Sequence, residues 1–272
     1  MNGISFGQYY PASSLLHKLD PRIKIISTVL YIICSFMCKN LISYALLLLS
    51  AVILIIIGRV PLRIIFKGLK GILFVLLFTA ILNVFWTKGE MLIWEWKFIA
   101  IYAEGLYSAL FIMIRISVLI IGTGMLLTYT TTPIALTNAI EDLLSPLKKL
   151  HVPVHSFAMM MTIALRFIPT LTEETERIMT AQKARGADFA SGGLIQRAKA
   201  LIPVLIPLFV SAFNRAGDLA TAMECRCYNG GEGRTRMTVR KIRVVDFIPL
   251  VLIIAFGAGL VVFNILGIGY TA

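Results

Sequence analysis

The 272-residue chain is 58% hydrophobic and 15% charged, with a formal net charge of +12 and a mean hydropathy of +0.85. Soluble domains average about 45–50% apolar and about 25% charged residues, so this composition belongs to the membrane class. In that class an excess of Lys and Arg marks a basic cytoplasmic face; no motif for DNA or RNA recognition occurs, and no nucleic-acid partner is expected.

Residues 1–20 are mixed and polar, without a basic region leading into an apolar core, so no cleaved signal peptide is expected. Asp20 is a good helix N-cap, and Pro21 suits the first helical position, where its missing N–H costs nothing. The first apolar span, 23–38, is short for a bilayer that needs about 20 residues, and borrows the preceding turn. Cys38-Lys39-Asn40 makes a tight reversal into a second span, 41–57. Residues 58–70 carry Arg59, Arg63, Lys67 and Lys70 without an acid and read as a cytoplasmic loop. A third span, 71–86, leads to residues 87–105, where Trp86, Trp94 and Trp96 accompany balanced charge; an external interfacial loop with a short surface helix is expected. The fourth span, 106–127, completes an N-terminal membrane domain, 1–132.

From 133 to 243 no uninterrupted run of 18 apolar residues occurs, and this stretch reads as a cytoplasmic domain. Its first part, 134–150, has the apolar spacing of an amphipathic helix. Two long helices follow, 155–186 and 194–228, about 48 and 52 Å long if continuous, separated by Ser191-Gly192-Gly193. Pro169, Pro203 and Pro207 would kink them. Glu173 and Arg177 form an i,i+4 surface pair. A final span lies within 244–272, after a basic flank from Arg234 to Arg243. The fold expected is therefore an all-α integral membrane protein with about five transmembrane helices and long amphipathic cytoplasmic helices. With 58–70 inside, the N-terminus lies in the cytoplasm and the C-terminus outside.

Each long helix ends in a small–Arg–small triplet, Ala184-Arg185-Gly186 and, 41 residues later, Cys225-Arg226-Cys227. The first suits plain helix capping: Arg offsets the macrodipole and Gly takes the position after the cap. The second suits it less well, because Cys227 stands where glycine is usual. Small neighbours leave a guanidinium free to enter a pocket and meet carboxylates bidentately. Two such tips point to two similar sockets on a partner. Cys225 and Cys227 lack the second ligand pair that a structural zinc site needs, and no metal site is expected; Cys34 and Cys38 read as lipid- or core-facing.

The chain resembles the EcfT family, the transmembrane coupling subunits of energy-coupling factor (ECF) transporters. The likeness rests on Gly7-Gln8-Tyr9-Tyr10-Pro11, Ser14, His17, Leu19-Asp20-Pro21-Arg22, Leu165-Arg166-Phe167-Ile168-Pro169 and the two Arg triplets. Cys225-Arg226-Cys227 departs from the Ala-Arg-Gly usual in the family's second motif. The resemblance implies coupling helices whose Arg185 and Arg226 tips dock on two ABC-type ATPase subunits in the cell membrane. It also implies an S-component, a separate membrane protein that binds the imported vitamin or other micronutrient and sets the specificity. No Walker-type G-x-x-x-x-G-K-[ST] is present, so ATP and Mg2+ are expected in the partner subunits, with no cofactor or enzyme activity in this chain. Met159, Met160, Ile163, Phe167 and Ile178 line an apolar face; plain core packing is the more ordinary role for any one of them, and the first four are the candidate contact with the S-component.

Arg115, inside the fourth span, reads equally as a functional charge or as a tie between spans, with Asn83 a candidate partner. Two other classes fit the sequence less well. A conventional ABC permease would need a polar intramembrane path, which the spans barely provide. A membrane-embedded enzyme would draw on His151, His155, Glu141 and Asp142, of which the two acids fit a solvated helix face.

Overall fold

The computed structural model describes residues 9–87, 92–96, 99–150, 152–189, 191, 193–230 and 243–265. Two compact units divide the chain: Met1–Leu136 with Arg240–Ala272, and Thr137–Val239. In the first unit the helices are α1 (Leu15–Lys18), α2 (Pro21–Phe36), α3 (Leu41–Gly58), α4 (Leu62–Trp86) and α5 (Ala103–Thr123). A π-helical stretch, Gly124–Thr128, continues α5.

Among the described residues the exception to helix is a two-stranded antiparallel hairpin, β1 (Leu92–Trp96) and β2 (Ile99–Tyr102). It replaces the surface helix expected in 87–105. Leu92, Ile93, Trp94 and Trp96 with Ile99, Ile101 and Tyr102 form two runs rich in β-branched and aromatic residues, which suit paired strands. The helices α6 (Pro133–Leu143), α7 (Val154–Ala184) and α8 (Leu194–Cys225) follow, and α9 (Ile248–Ile265) closes the described chain.

Two expected boundaries move. The basic loop 58–70 shrinks to the turn at Arg59-Val60-Pro61, with Arg59 in the left-handed region at φ 51°. Arg63, Lys67 and Lys70 instead occupy the first turns of α4, since Lys and Arg are good helix formers and Pro61 sits just before the start. The amphipathic helix expected over 134–150 stops at Leu143 and gives way to a 3₁₀ turn, Ser145–Leu150, where Pro146 interrupts α-helical hydrogen bonding. The basic flank from Arg234 lies mostly outside the described residues.

Six helices are long and apolar enough to cross a membrane by length and composition: α3, α4, Ala103–Thr128, α7, Ile195–Cys225 and Val244–Ile265. This set differs from the five spans expected. At 16 residues α2 falls outside it, while α7 and α8 fall inside, because their charges gather toward particular turns and leave long apolar windows. On α4, Phe74, Phe78 and Trp86 are exposed, the surface a helix presents to lipid.

The core of the first unit gathers Tyr31 of α2, Leu47 of α3, Phe111 and Val118 of α5, Leu126 and Leu260. Asp20 caps α2 as expected, accepting from the Arg22 amide at 2.9 Å, and Pro21 takes the first helical position. A polar clasp surrounds this end. Lys24 is buried and donates from Nζ to the Thr130 carbonyl (2.9 Å), Thr130 Oγ1 and Thr131 Oγ1 (both 3.2 Å). Buried Asp246 accepts from the backbone amides of Asp20 and Arg243. His17 contacts Ser14 Oγ at 2.7 Å and the Tyr10 carbonyl at 2.8 Å, and the Tyr10 amide donates to the Tyr129 carbonyl.

The opposite end of α2 is held differently. Sixteen residues span about 24 Å, less than a hydrocarbon core of about 30 Å, so carbonyls at this end need protein donors. Asn264 Nδ2 donates to the Met37 carbonyl at 2.7 Å, and Arg115 Nη2 donates to the Cys38 carbonyl at 2.9 Å. Arg115 also bonds the Tyr44 hydroxyl and lies 5.3 Å over the Tyr44 ring, which stacks on Phe111 at 4.6 Å. Asn83, the expected partner of Arg115, bonds the Thr79 carbonyl of its own helix instead. Cys34 and Cys38 are core residues, both buried.

Helix α5 passes α2 at Gly122, where a Cβ would sit inside the ring of Tyr31. Gly122→Ala is expected to destabilise the protein by about 1–3 kcal/mol through overpacking. Gly259→Ala, with open space around it, is expected to leave stability unchanged. Thermal unfolding in detergent measures both, and equal midpoints would show that the α2–α5 approach tolerates extra volume.

Candidate functional site

The second unit is built on α7 and α8, of 31 and 32 residues, close to the lengths expected. Both end in the same way. Arg185 is the C-cap of α7, and Gly186 follows at φ +86°. The Gly186 amide donates to the Lys183 carbonyl and the Ala187 amide to the Gln182 carbonyl, each at 3.0 Å. Arg226 is the C-cap of α8, and Cys227 follows at φ +55°. The Cys227 amide donates to the Glu224 carbonyl at 2.8 Å and the Tyr228 amide to the Met223 carbonyl at 3.1 Å.

These are the two hydrogen bonds of a Schellman motif, repeated at both tips. The expectation that Cys227 suits a cap poorly is therefore corrected: the cysteine adopts the left-handed conformation that glycine takes at the first tip. That conformation costs a residue with a Cβ about 1 kcal/mol relative to glycine. Capping geometry thus accounts for the shape of both turns, but leaves the side chains unused. Ala184, Arg185, Gly186, Cys225, Arg226 and Cys227 are all exposed. Neither guanidinium has a hydrogen bond or ion pair among the described residues.

Contacts between the helices set where the tips lie. Gln182 Nε2 donates to the Pro203 carbonyl at 3.5 Å, and Arg215 Nη2 pairs with Glu174 Oε2 at 2.9 Å. Later residues of α7 meet earlier residues of α8, so the helices run antiparallel. From Pro203, beside Gln182, to Arg226 the helix advances about 35 Å. The arginines therefore stand at opposite ends of the pair. The Gln182 bond has a local cause: Pro207 has no N–H to give the Pro203 carbonyl four residues earlier, and Gln182 supplies one.

Sequence reasoning missed this crossing. The ion pair seen joins Glu174 to Arg215 across two helices, where Glu173 and Arg177 were expected to pair within one. Of the four residues expected to contact a membrane partner, Met160 is exposed, while Met159, Ile163 and Phe167 are half-buried. A larger uncovered apolar face runs along α8 through Ile202, Ile206, Phe209 and Phe213.

His155 and Glu141, two of the groups that an embedded enzyme would use, do come together, with Nδ1 3.0 Å from Oε1. Glu141 is buried, not on a solvated face as expected. The cavity beside them is about 40 Å³, lined by Thr137, Ile140, Leu144, Val154, Phe157 and Met161 among others. That is room for a water molecule or two, far below the several hundred Å³ of a small-molecule site. His151 lies outside the described residues. Among the described residues, no group of three or more His, Cys, Asp or Glu side chains is placed to hold a metal ion.

Lipid-facing apolar helices, buried polar clasps at their ends and paired exposed arginine tips define a multi-pass, helical integral membrane protein. The family model described as "Cobalt transport protein" (CbiQ) matches residues 12–238. The chain is 56% identical over 248 residues to the energy-coupling factor transporter transmembrane protein EcfT of Ruminiclostridium cellulolyticum, covering 91% of each chain. Identity to the EcfT of Clostridium kluyveri is 52% over 90% of this chain and 91% of the relative, and to that of Bacillus subtilis 50% over 87% and 89%. The chain belongs to the EcfT family, the transmembrane proteins of energy-coupling factor transporters.

If left-handed strain distinguishes the two tips, Cys227→Gly should slow hydrogen exchange of the Tyr228 amide about fivefold, the equivalent of about 1 kcal/mol. Gly186→Ala should speed exchange of the Ala187 amide by a similar factor. Unchanged rates in both variants would show that these bonds do not hold the turns.

Proposed function

We propose that this chain is the coupling subunit of an ECF importer and that α7 and α8 are its coupling helices on the cytoplasmic side. In this reading the N-terminus and residues 133–243 face the cytoplasm and the C-terminus lies outside. Arg185, between Ala184 and Gly186, and Arg226, between Cys225 and Cys227, each dock on one of two ABC-type ATPase subunits. ATP and Mg2+ bind to those subunits, where hydrolysis takes place. A substrate-specific S-component packs against the exposed apolar surface of the coupling helices, at Met159, Met160, Ile163 and Phe167 and along the α8 face.

The observation that carries the reading is the pair of identically built tips, each with an exposed guanidinium that has no partner among the described residues, at opposite ends of an antiparallel helix pair. A single capping role would not require an unpaired arginine at both ends. A planar guanidinium flanked by small residues suits a carboxylate-lined socket, where it forms two parallel hydrogen bonds. Because the tips lie tens of ångströms apart, two ATPase subunits can each take one without competing. Closure of the ATPases on ATP would then draw the tips together and move the helices beneath the S-component, tilting it in the bilayer.

The test is co-purification from native membranes with the tagged chain. Unsubstituted protein is expected to bring down two ATPases and a small membrane protein. The Arg185→Glu, Arg226→Glu double variant is expected to lose at least tenfold of the ATPase while keeping the membrane partner, since each reversal places like charges at a socket. Retention of the ATPases by the double variant would remove the arginines from the docking role.

A further inference from the structure

The crossing of α7 and α8 has a symmetry that the docking reading does not require. Glu174 lies 11 residues before Arg185, and Arg215 lies 11 residues before Arg226. Each stretch is uninterrupted helix up to its C-cap, so the two arms are equal, about 16 Å each. Within its own helix each proline lies on the far side of the crossing from that helix's tip: Pro169 precedes Glu174, and Pro203 and Pro207 precede Arg215. Both arms from pivot to tip therefore keep a complete helical hydrogen-bond ladder, the stiffest part of each helix.

At the centre, Arg215 Nη2 meets Glu174 Oε2 at 2.9 Å, and Arg215 Nε donates to Ser211 Oγ at 3.4 Å. The guanidinium is thus held by Ser211 of its own helix while it reaches the carboxylate of α7. An ion pair anchored in this way restrains the rotation of both helices as well as their spacing. Beside it on α8 lies an open groove of about 610 Å³, lined by Ile206, Pro207, Val210, Asn214 and Asp218 among others.

We propose that Glu174 and Arg215 are positioning residues, forming the pivot of an equal-armed lever that sets the angle and separation of the two arginine tips. The inference rests on the docking reading for its functional consequence, not for its geometry. Without the pair the helices stay folded and each tip keeps its cap, but movement of one tip is no longer transmitted to the other.

The experiment uses the full chain in lipid nanodiscs, spin-labelled through Thr180→Cys and Thr221→Cys, exposed positions that repeat the 41-residue offset. Cys225→Ala and Cys227→Gly remove the exposed native thiols; Cys34 and Cys38 are buried. Glu174→Gln and Arg215→Gln are each expected to widen the label-to-label distance distribution at least twofold, and the exchanged pair Glu174→Arg, Arg215→Glu to restore it. Helix content by circular dichroism is expected to stay constant throughout. In the assembled complex, ATP is expected to shift the distance in the unsubstituted chain and in the exchanged pair, and to produce no coherent shift in the single variants, which keep their ATPases within twofold. Unchanged widths in the single variants, or no recovery in the exchanged pair, would overturn the pivot. Loss of ATPase capture by the unsubstituted chain, with the widths behaving as expected, would instead overturn the docking reading and leave the pivot as geometry alone.

Discussion

Every helix end leaves backbone groups without intrahelical partners, and in a bilayer water is not available to satisfy them. The membrane unit is organised around that constraint at α2, a helix too short to reach across. Its N-terminal end is held by Asp20 and Pro21, with Lys24 and Asp246 tying it to the end of α5 and the start of the last span. Its C-terminal end is held by Asn264 and Arg115, which donate to the carbonyls of Met37 and Cys38. Arg115 thereby joins α5 to the end of α2 and to Tyr44 of α3, its charge set at a helix C-terminus where the macrodipole favours a cation.

The same accounting of polar groups governs α7 and α8, with a different result. Their orphan carbonyls are satisfied by Schellman turns, and the carbonyl freed by Pro207 is satisfied by Gln182. Since the backbone at the tips is closed by its own amides, the arginine side chains are not needed there, and neither has a partner among the described residues. Backbone self-sufficiency at a helix end is what leaves a charged side chain available to a partner. The strain at Cys227 shows that the turn, not the glycine, is what the two tips share.

Several elements could be read directly from residue order. Asp20-Pro21 marked a helix start, and both long helices ended within a few residues of where the small–Arg–small triplets stood. Local chemistry governs such points, so local sequence reveals them. Misreadings arose where two local signals competed. Arg63, Lys67 and Lys70 suggested a loop by charge, yet their helix propensity and Pro61 placed them in α4. Spacing alone favoured one helix over 134–150, and Pro146 ended it. In 87–105 the aromatic content suited an interfacial helix and a hairpin alike, and strand pairing won.

The sequence by itself determined the class of protein, the two arginine-tipped helices and the residues that start and stop them, because hydropathy and capping act over a few residues. Tertiary structure alone decided that Arg115 caps α2 rather than meeting Asn83, that Glu174 reaches Arg215 on the neighbouring helix, and that the two tips face opposite ends. Those outcomes depend on which donors and acceptors the packing of distant helices brings within about 3 Å, and hydrogen bonds weaken too steeply with distance for residue spacing to choose among them.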